Sequence, residues 1–574
     1  MNKSDFFIVF ILLILMGVWM YLSPRYISPP PSPVETTQNE LLITPEYSQK
    51  DADITSDILN TTNLDFSEKI VRLENDFIKL DVSSINGSIK ASTLLQYNSS
   101  DSDEFSPIIF DFENLPALSL ANTKYKNLTD FDINKINSKQ VSFSKIIDNN
   151  LKLERRITLG DNYLINIKDT YTNQSDYLQE LPAFTIYSGI MKNPEDTHQM
   201  IGESILGVDS YTPEDGIFYW GKPNYINKKI FTKKNNSNFI NTIPKDMINK
   251  QVDWVCAKNK FFAQIIHPKN FPASMRIVCN RNDKKELTSI AAGIDVSSRN
   301  LQANDQLILE YDYFIGPREF YTLKDYKQSY EKIREFETIG FWSGWNFIME
   351  PIRIGLNSSL INIDKFIPGG YGIAIIILTI IIRLIFHPLH KKSTDSMKKM
   401  QEIQPLIKSL QEKYKSDPKK LQQETMILYK EKKVNPMGGC LPMFIQIPIF
   451  IALYTILRGA IELRYVDFLW INDLSAPENL FAGKIPIPFN SNDALNILPI
   501  LMAASMVLQQ KMTSSAAAIT PEQKQQQQIM MFMMPVMMLF FFYDMPSGLV
   551  LYWTVSNLLM IGQTGLKTLI KRKA

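Results

Sequence analysis

Hydrophobic and polar positions are segregated along this chain. In "MNKSDFFIVFILLILMGVWMYLSPRY" the apolar run from Phe6 to Leu22 is unbroken, and Ser23-Pro24-Arg25 follows it with no small-x-small cleavage site. A run of this length predicts an uncleaved membrane anchor over 1–22. Residues 23–55 are Pro-rich and then polar, the composition of an extended spacer. From 56 to 336 no run is long enough to span, and short segments of period two recur. In "DFIKLDVSSINGSIKASTLLQY" the pair Asn86-Gly87 separates two alternating runs, as a type I′ hairpin turn would. The segments "QVSFSKII", "LKLERRITL", "YLINIKDTYT", "MRIVCNRN" and "LQANDQLILEYDYFIG" have the same period. Together they predict a large antiparallel β-sandwich.

Beyond residue 336 the period changes. In "GFWSGWNFIMEPIRIGL", Trp342, Trp345, Met349, Ile352 and Leu356 share one helical face, which predicts an amphipathic helix over 337–360 lying at a membrane interface. Apolar stretches then predict spans at 371–390, 439–460, 495–510, 529–543 and 547–566, six with the anchor. Several are short, so tilt or local thinning of the bilayer is expected. Between the first two, 391–435 reads as a helical hairpin. Met397, Met400, Ile403, Leu406 and Leu410 stripe one arm, Pro405 interrupts it, and Asp417-Pro418 opens the second arm as cap and first residue.

Overall composition conceals this division, since 45% hydrophobic, 21% charged and a net charge of +2 are ordinary for a soluble protein. Local charge is not ordinary. Lys391 to Lys433 carries twelve lysines against six acidic residues, and "KTLIKRKA" adds four positive charges. Glu462 to Asp493 holds five acidic residues against Arg464 and Lys484. By the positive-inside rule the hairpin and both termini are cytoplasmic, and the β-rich region is outside.

The β-rich half offers little chemistry. "GIFYWGK" has the spacing of a phosphate-binding loop, but Pro223 stands where a Ser or Thr should hold magnesium and three aromatics crowd the glycines. His198 and His267 have no ligand-type neighbour at metal spacing, and Cys256 and Cys279 fit a disulfide or two free thiols equally well. No cofactor or nucleotide is expected. The chemical anomaly lies in the apolar half: Arg383 sits inside "ILTIIIRLIFHPLHKK". A charge there either snorkels toward Lys391 or marks function.

Two further motifs put polar and small residues into spans: "KVNPMGGCLPMFIQIPIFIALY", with Gln446, and "MPSGLVLYWTVSNLL", with Ser556 and Asn557. Such residues serve as helix-packing glue in lipid. In this order, after the Arg-containing span, they resemble the YidC membrane protein insertase family from about Gly340 to the C-terminus. The anchor, spacer and large outside domain resemble its Gram-negative bacterial form by layout. The resemblance implies an α-helical polytopic membrane protein of six spans with a five-span insertase core, plus the large extracytoplasmic β-sandwich. It further implies a polar groove, open to the cytoplasm and lipid, in which Arg383, Thr379, Gln446, Tyr552 and Trp553 receive substrate. Trp553 departs from the Tyr often found at its position. Ile447, Phe450, Phe541 and Met545 match a greasy slide for substrate helices. Met537, in the run "MMFMMPVMMLFFF", joins them as a flexible apolar contact or simply faces lipid.

The expected function is thus a non-enzymatic insertase in the bacterial inner membrane. It would capture polar tails of nascent membrane proteins and release their hydrophobic segments into the lipid bilayer, alone or with the general secretion translocon. The basic hairpin serves as a topology signal or also as a weak ribosome contact. A solute transporter or channel is the alternative, supported by the intramembrane charge and broken helices. A membrane-anchored β scaffold is a third reading. Against transport, the chain shows no internal repeat and no acidic residue well inside a span.

Overall fold

A computed structural model describes residues 68–334 and 346–573 apart from short internal stretches, of which the longest are 122–130, 194–205, 220–237, 435–440, 482–493 and 514–520. The anchor, the spacer, Trp342, Trp345 and His198 lie outside the described residues. The chain divides into a β unit ending at Arg334 and a helical unit beginning at Glu335.

In the β unit, nine antiparallel strands form the largest sheet. Its centre is Phe262–Pro268, Gln306–Pro317, Leu164–Asn173 and Leu151–Leu159, each paired with the next. A six-stranded sheet is built around Ser274–Arg281 and Leu287–Val296. The Tyr313 hydroxyl of the first sheet donates to the carbonyl of Ser188, which follows the strand Phe184–Tyr187 of the second. These stacked sheets are the β-sandwich expected from the period-two pattern.

A smaller meander, Ile70–Glu74, Ile78–Ser83, Ser88–Asn98 and Pro107–Asp111, precedes them. Its central hairpin turns at Asn86-Gly87, both at positive φ (58° and 52°), as a type I′ turn requires. Ser83 pairs with Ser88, however, so the connection has four residues rather than two.

The alternation in Leu151–Leu159 is strict, and Leu151, Leu153, Arg155, Ile157 and Leu159 all point inward. An arginine therefore occupies a core position, directly opposite Asp169. The fully buried pair is joined twice at 2.8 Å, Nε to Oδ1 and Nη2 to Oδ2. The remaining Arg155 donors reach the carbonyls of Asn86, Gly87 and Leu118 and the Tyr311 hydroxyl. The charge is neutralised and its hydrogen bonds are met, the condition for tolerating an ion pair in a core. Burial, opposed by the Asp169 charge, leaves the guanidinium pKa raised on balance.

Cys256 and Cys279 are free thiols, both buried, and burial pushes their pKa values up. Gly216–Tyr219 is an edge strand against Gly207–Thr212, and the rest of "GIFYWGK" lies outside the described residues. His267 is half-buried and meets the Tyr330 hydroxyl at 2.8 Å. Among the described residues no His, Cys, Asp and Glu cluster could hold a metal.

The helical unit contains α1 (Asn346–Phe366), α2 (Gly370–Glu402), α3 (Gln404–Lys413), α4 (Pro418–Glu431), α5 (Leu441–Arg458), α6 (Ile497–Thr513), α7 (Pro521–Phe542) and α8 (Ser547–Lys573). Within α2, Gly370–Lys391 is long and apolar enough to cross a membrane, and Gln446–Arg458, Ile497–Met512 and Met531–Phe542 are shorter apolar stretches. Leu378, Ile382, Leu453, Leu457, Met502 and Leu549 pack into one core from α2, α5, α6 and α8. The apolar stripe expected on α1 is rotated. Met349 is buried, but Ile352 and Leu356 are only half-buried, while Arg353, Asn357 and Leu360 complete the buried face against α2 and α5.

The segment between α5 and α6 closes one end of the bundle. The Glu478 carboxylate accepts from the Ile497 and Leu498 backbone N–H groups and from Trp470 Nε1, capping α6 with a negative charge. Asn496 Nδ2 donates to the Tyr543 carbonyl at 2.6 Å and Ser547 Oγ to the Ala476 carbonyl at 2.7 Å, tying in the turn between α7 and α8. Gly372 lies so close to Phe468 that any side chain there would collide.

Candidate functional site

Burial along α2 follows the helical period. Ala374, Ile375, Leu378, Thr379, Ile382 and Arg383 face inward, whereas Ile380, Ile381, Leu384 and Ile385 are exposed. Arg383 is thus on the packed face at 7% exposure, and Leu384 and Ile385 beside it are each 65% exposed. Arg383 therefore does not lie on the exposed face of the helix.

The partners of Arg383 come mainly from α8. Nε donates to Ser556 Oγ at 3.1 Å and Nη2 to the Ser556 carbonyl at 2.7 Å. Nη1 lies 3.4 Å from His390 Nε2, two turns further along α2. Among the described residues no carboxylate forms an ion pair with it. A guanidinium held only by a hydroxyl, a carbonyl and an imidazole has its geometry fixed while its positive charge stays available.

One turn before Ser556, Tyr552 is buried, and its hydroxyl accepts from Gln446 Nε2 on α5. Two helices, α2 and α5, therefore converge on one face of α8, with Arg383 against Ser556 and Gln446 against Tyr552 one turn away. The Thr379 hydroxyl is also buried but bonds back to the Ile375 carbonyl at 2.7 Å, so it lines this region without bridging to another helix. Asn557 Nδ2 donates to Ser505 Oγ on α6 at 3.0 Å and sets the register of α8 against that helix.

Trp553 falls elsewhere. It is edge-on to Phe450, with ring centroids 5.3 Å apart, and tilted against Phe542 at the same separation, so it belongs to an aromatic cluster rather than to the polar residues. Of the apolar set, Ile447 and Phe541 are about as exposed, at 37% and 39%, and Phe450, Met537 and Met545 are half-buried. Phe450 meets Phe542, not Phe541. Met545 stands in the turn after α7 and packs on the core.

Sequence reasoning missed Ser556 and His390 as partners of Arg383, Phe542 in the aromatic cluster, and the buried Arg353. Ser556 was visible as a small polar residue in a span, but its pairing with a residue 173 positions away leaves no periodic signal. Arg353 had a signal, an arginine within the α1 stripe.

The helical unit thus carries a buried arginine, with no ion-pair partner among the described residues, on an apolar helix, and it follows a β-sandwich in sequence. A family model described as 60Kd inner membrane protein matches residues 362–573, and a YidC periplasmic domain model matches residues 70–353. The chain belongs to the YidC family.

Membrane protein insertase YidC of Syntrophus aciditrophicus is 34% identical over 361 residues, 62% of this chain and 58% of that protein. The Leptospira interrogans protein of the same name is 38% identical over 331 residues, 56% and 51% of the two chains. That of Chlorobaculum parvum is 27% identical over 524 residues, 87% and 82%. The chain spans little more than half the length of the first of these relatives. A crystal structure of an active YidC insertase with its first transmembrane domain resolved is similar over 87% of this chain and 93% of its own, at 19% identity and a TM-score of 0.34.

Proposed function

We propose that this chain is a membrane protein insertase. The observation that carries the reading is Arg383: a permanent charge on the inward face of an apolar helix, held by neutral groups among the described residues. An isolated charge at the bilayer centre costs about 2.5 to 3.5 kcal/mol on insertion scales, so such a residue belongs in a hydrated or protein-lined site. Arg383, Thr379, Gln446 and Tyr552 are the polar surface that receives a substrate's hydrophilic tail. Ile447, Phe450, Met537, Phe541, Met545 and Trp553 are the apolar surface along which its hydrophobic segment passes.

The energetics need no nucleotide. Each Leu-like residue entering lipid gains roughly 0.3 to 0.6 kcal/mol. The membrane potential adds about 2.3 kcal/mol per charge per 100 mV in drawing acidic residues outward. In this reading six spans cross the inner membrane, α1 lies at its interface, both termini and the α3–α4 hairpin are cytoplasmic, and the β unit is periplasmic. Nascent membrane proteins are the substrates, reached alone or beside the secretion translocon, with the hairpin as a weak ribosome contact.

The test is insertion of a single-span reporter with an acidic tail by the purified protein in liposomes, comparing Arg383→Ala, Arg383→Lys and Arg383→Glu. Lys is expected to retain part of the activity, Ala little and Glu least. Equal insertion by all three would overturn the capture role of the charge, and solute uptake without insertion would favour a transporter.

A further inference from the structure

Arg383 is already engaged. A guanidinium binds a carboxylate best along one edge with two parallel hydrogen bonds, and Ser556 occupies the Nε–Nη2 edge with its hydroxyl and its carbonyl. His390 approaches the remaining terminal nitrogen. We propose that Ser556 and His390 form a latch on Arg383, and that the strength of this latch sets how acidic a substrate tail must be before it is accepted. Ser556 is then a specificity-determining positioning residue. This deepens the insertase reading and rests on it.

Three features make the latch selective rather than merely structural. First, its acceptors are neutral, so a carboxylate, which brings the opposite charge and can take both N–H groups of one edge in a bidentate pair, displaces them while a neutral polar tail does not. Second, Ser556 is 5% exposed, and its helix is set by the adjacent Asn557–Ser505 bond, so the hydroxyl is presented in a fixed place. Third, only the unlatched fraction of Arg383 meets substrate, so apparent affinity falls in proportion to that fraction. One acidic residue gives a small bias toward release, and several give a large one.

The experiment uses the full-length protein in liposomes and reporters whose tails carry one or four acidic residues. Ser556→Ala removes the Nε acceptor and keeps the backbone carbonyl; Ser556→Thr keeps the hydroxyl. The ratio of one-acid to four-acid insertion is expected to rise about tenfold in Ser556→Ala, the lower end of the scale of one lost hydrogen bond to a charged group, and to return in Ser556→Thr. His390→Ala is expected to raise it in the same direction by less. Using a ratio removes any uniform loss from poorer folding.

A second readout is the rate at which phenylglyoxal modifies Arg383, which should rise in Ser556→Ala. An unchanged ratio or an unchanged modification rate overturns the latch while leaving the insertase reading intact. Failure of the unsubstituted protein to insert any reporter overturns both.

Discussion

Arg155 in the β unit and Arg383 in the helical unit are both buried, and they are treated in opposite ways. Arg155 sits at an inward strand position with Asp169 across the ladder, so its charge is cancelled and its donors knit a hairpin to the sandwich. Arg383 sits at an inward helix position with neutral acceptors alone among the described residues, so its place is fixed and its charge is kept. Burial alone therefore does not distinguish a structural arginine from a working one; the charge of its partners does. In the proposed insertase reading, the paired arginine serves the fold, whereas the one with no ion pair among the described residues leaves an electrostatic demand for a substrate to meet.

The sharpest way to break this contrast is to remove the counter-ion. Asp169→Asn leaves Arg155 charged in a core and should destabilise the β unit by about 3 to 5 kcal/mol, read by denaturant titration of near-UV circular dichroism. Replacing both partners, Arg155→Met with Asp169→Leu, should restore most of that loss. If the double variant is no better than the single one, the hairpin carbonyls and not the ion pair dominate.

The matching change in the helical unit should do the reverse. Arg383→Met is expected to lower insertion of the acidic-tail reporter at least tenfold, about 1.4 kcal/mol, while shifting the melting temperature little. A large loss of thermal stability would mean that Arg383 is as structural as Arg155. Weaker still, Gln446→Leu should cost the helical unit about 1 kcal/mol, because the buried Tyr552 hydroxyl loses its donor. A detergent melt followed by tryptophan fluorescence measures it.

The smallest effect is on pH. Burial holds the His267 imidazole below its ordinary value of 6.5, against the pull of Asp312 and Asp253. As pH falls through 6.5 the unfolded chain takes up a proton that the folded β unit refuses, so this contribution is complete above 6.5 and lost as pH falls toward the folded value. Melting at pH 7.5 and 5.5 should show a decline that His267→Gln reduces.

Much of this was legible in the sequence because it is periodic. Alternation in "LKLERRITL" matched a strand with the same bounds, but that Arg155 faces inward with its leucines, opposite Asp169, depended on the sheet. Asn86-Gly87 gave the hairpin, but its four-residue length depended on the ladder beyond the turn. Arg383 stood out as a charge among apolar residues. Its latch did not, since which faces of α2 and α8 meet is decided by packing between helices and not by local pattern. The buried face of α1 was not legible for a related reason: counting only apolar positions left out Arg353 and Asn357, which share it. Trp553 was grouped with Tyr552 through the family resemblance, yet consecutive helix residues point about 100° apart and reach different neighbours.

The contacts of Arg155 also order events in time. They join it to residues 69, 68, 37, 14 and 156 positions away. Its desolvation is not compensated until the hairpin at Asn86, the strand at Asp169 and the final long strand at Tyr311 have all assembled. Contacts of such range slow folding, because the loops between them must close first. A chain emerging from its N-terminus therefore keeps more than two hundred residues of this unit uncommitted until Gln306–Pro317 is present. Protease resistance of chains cut before residue 306 should be absent and should appear abruptly once that strand is included.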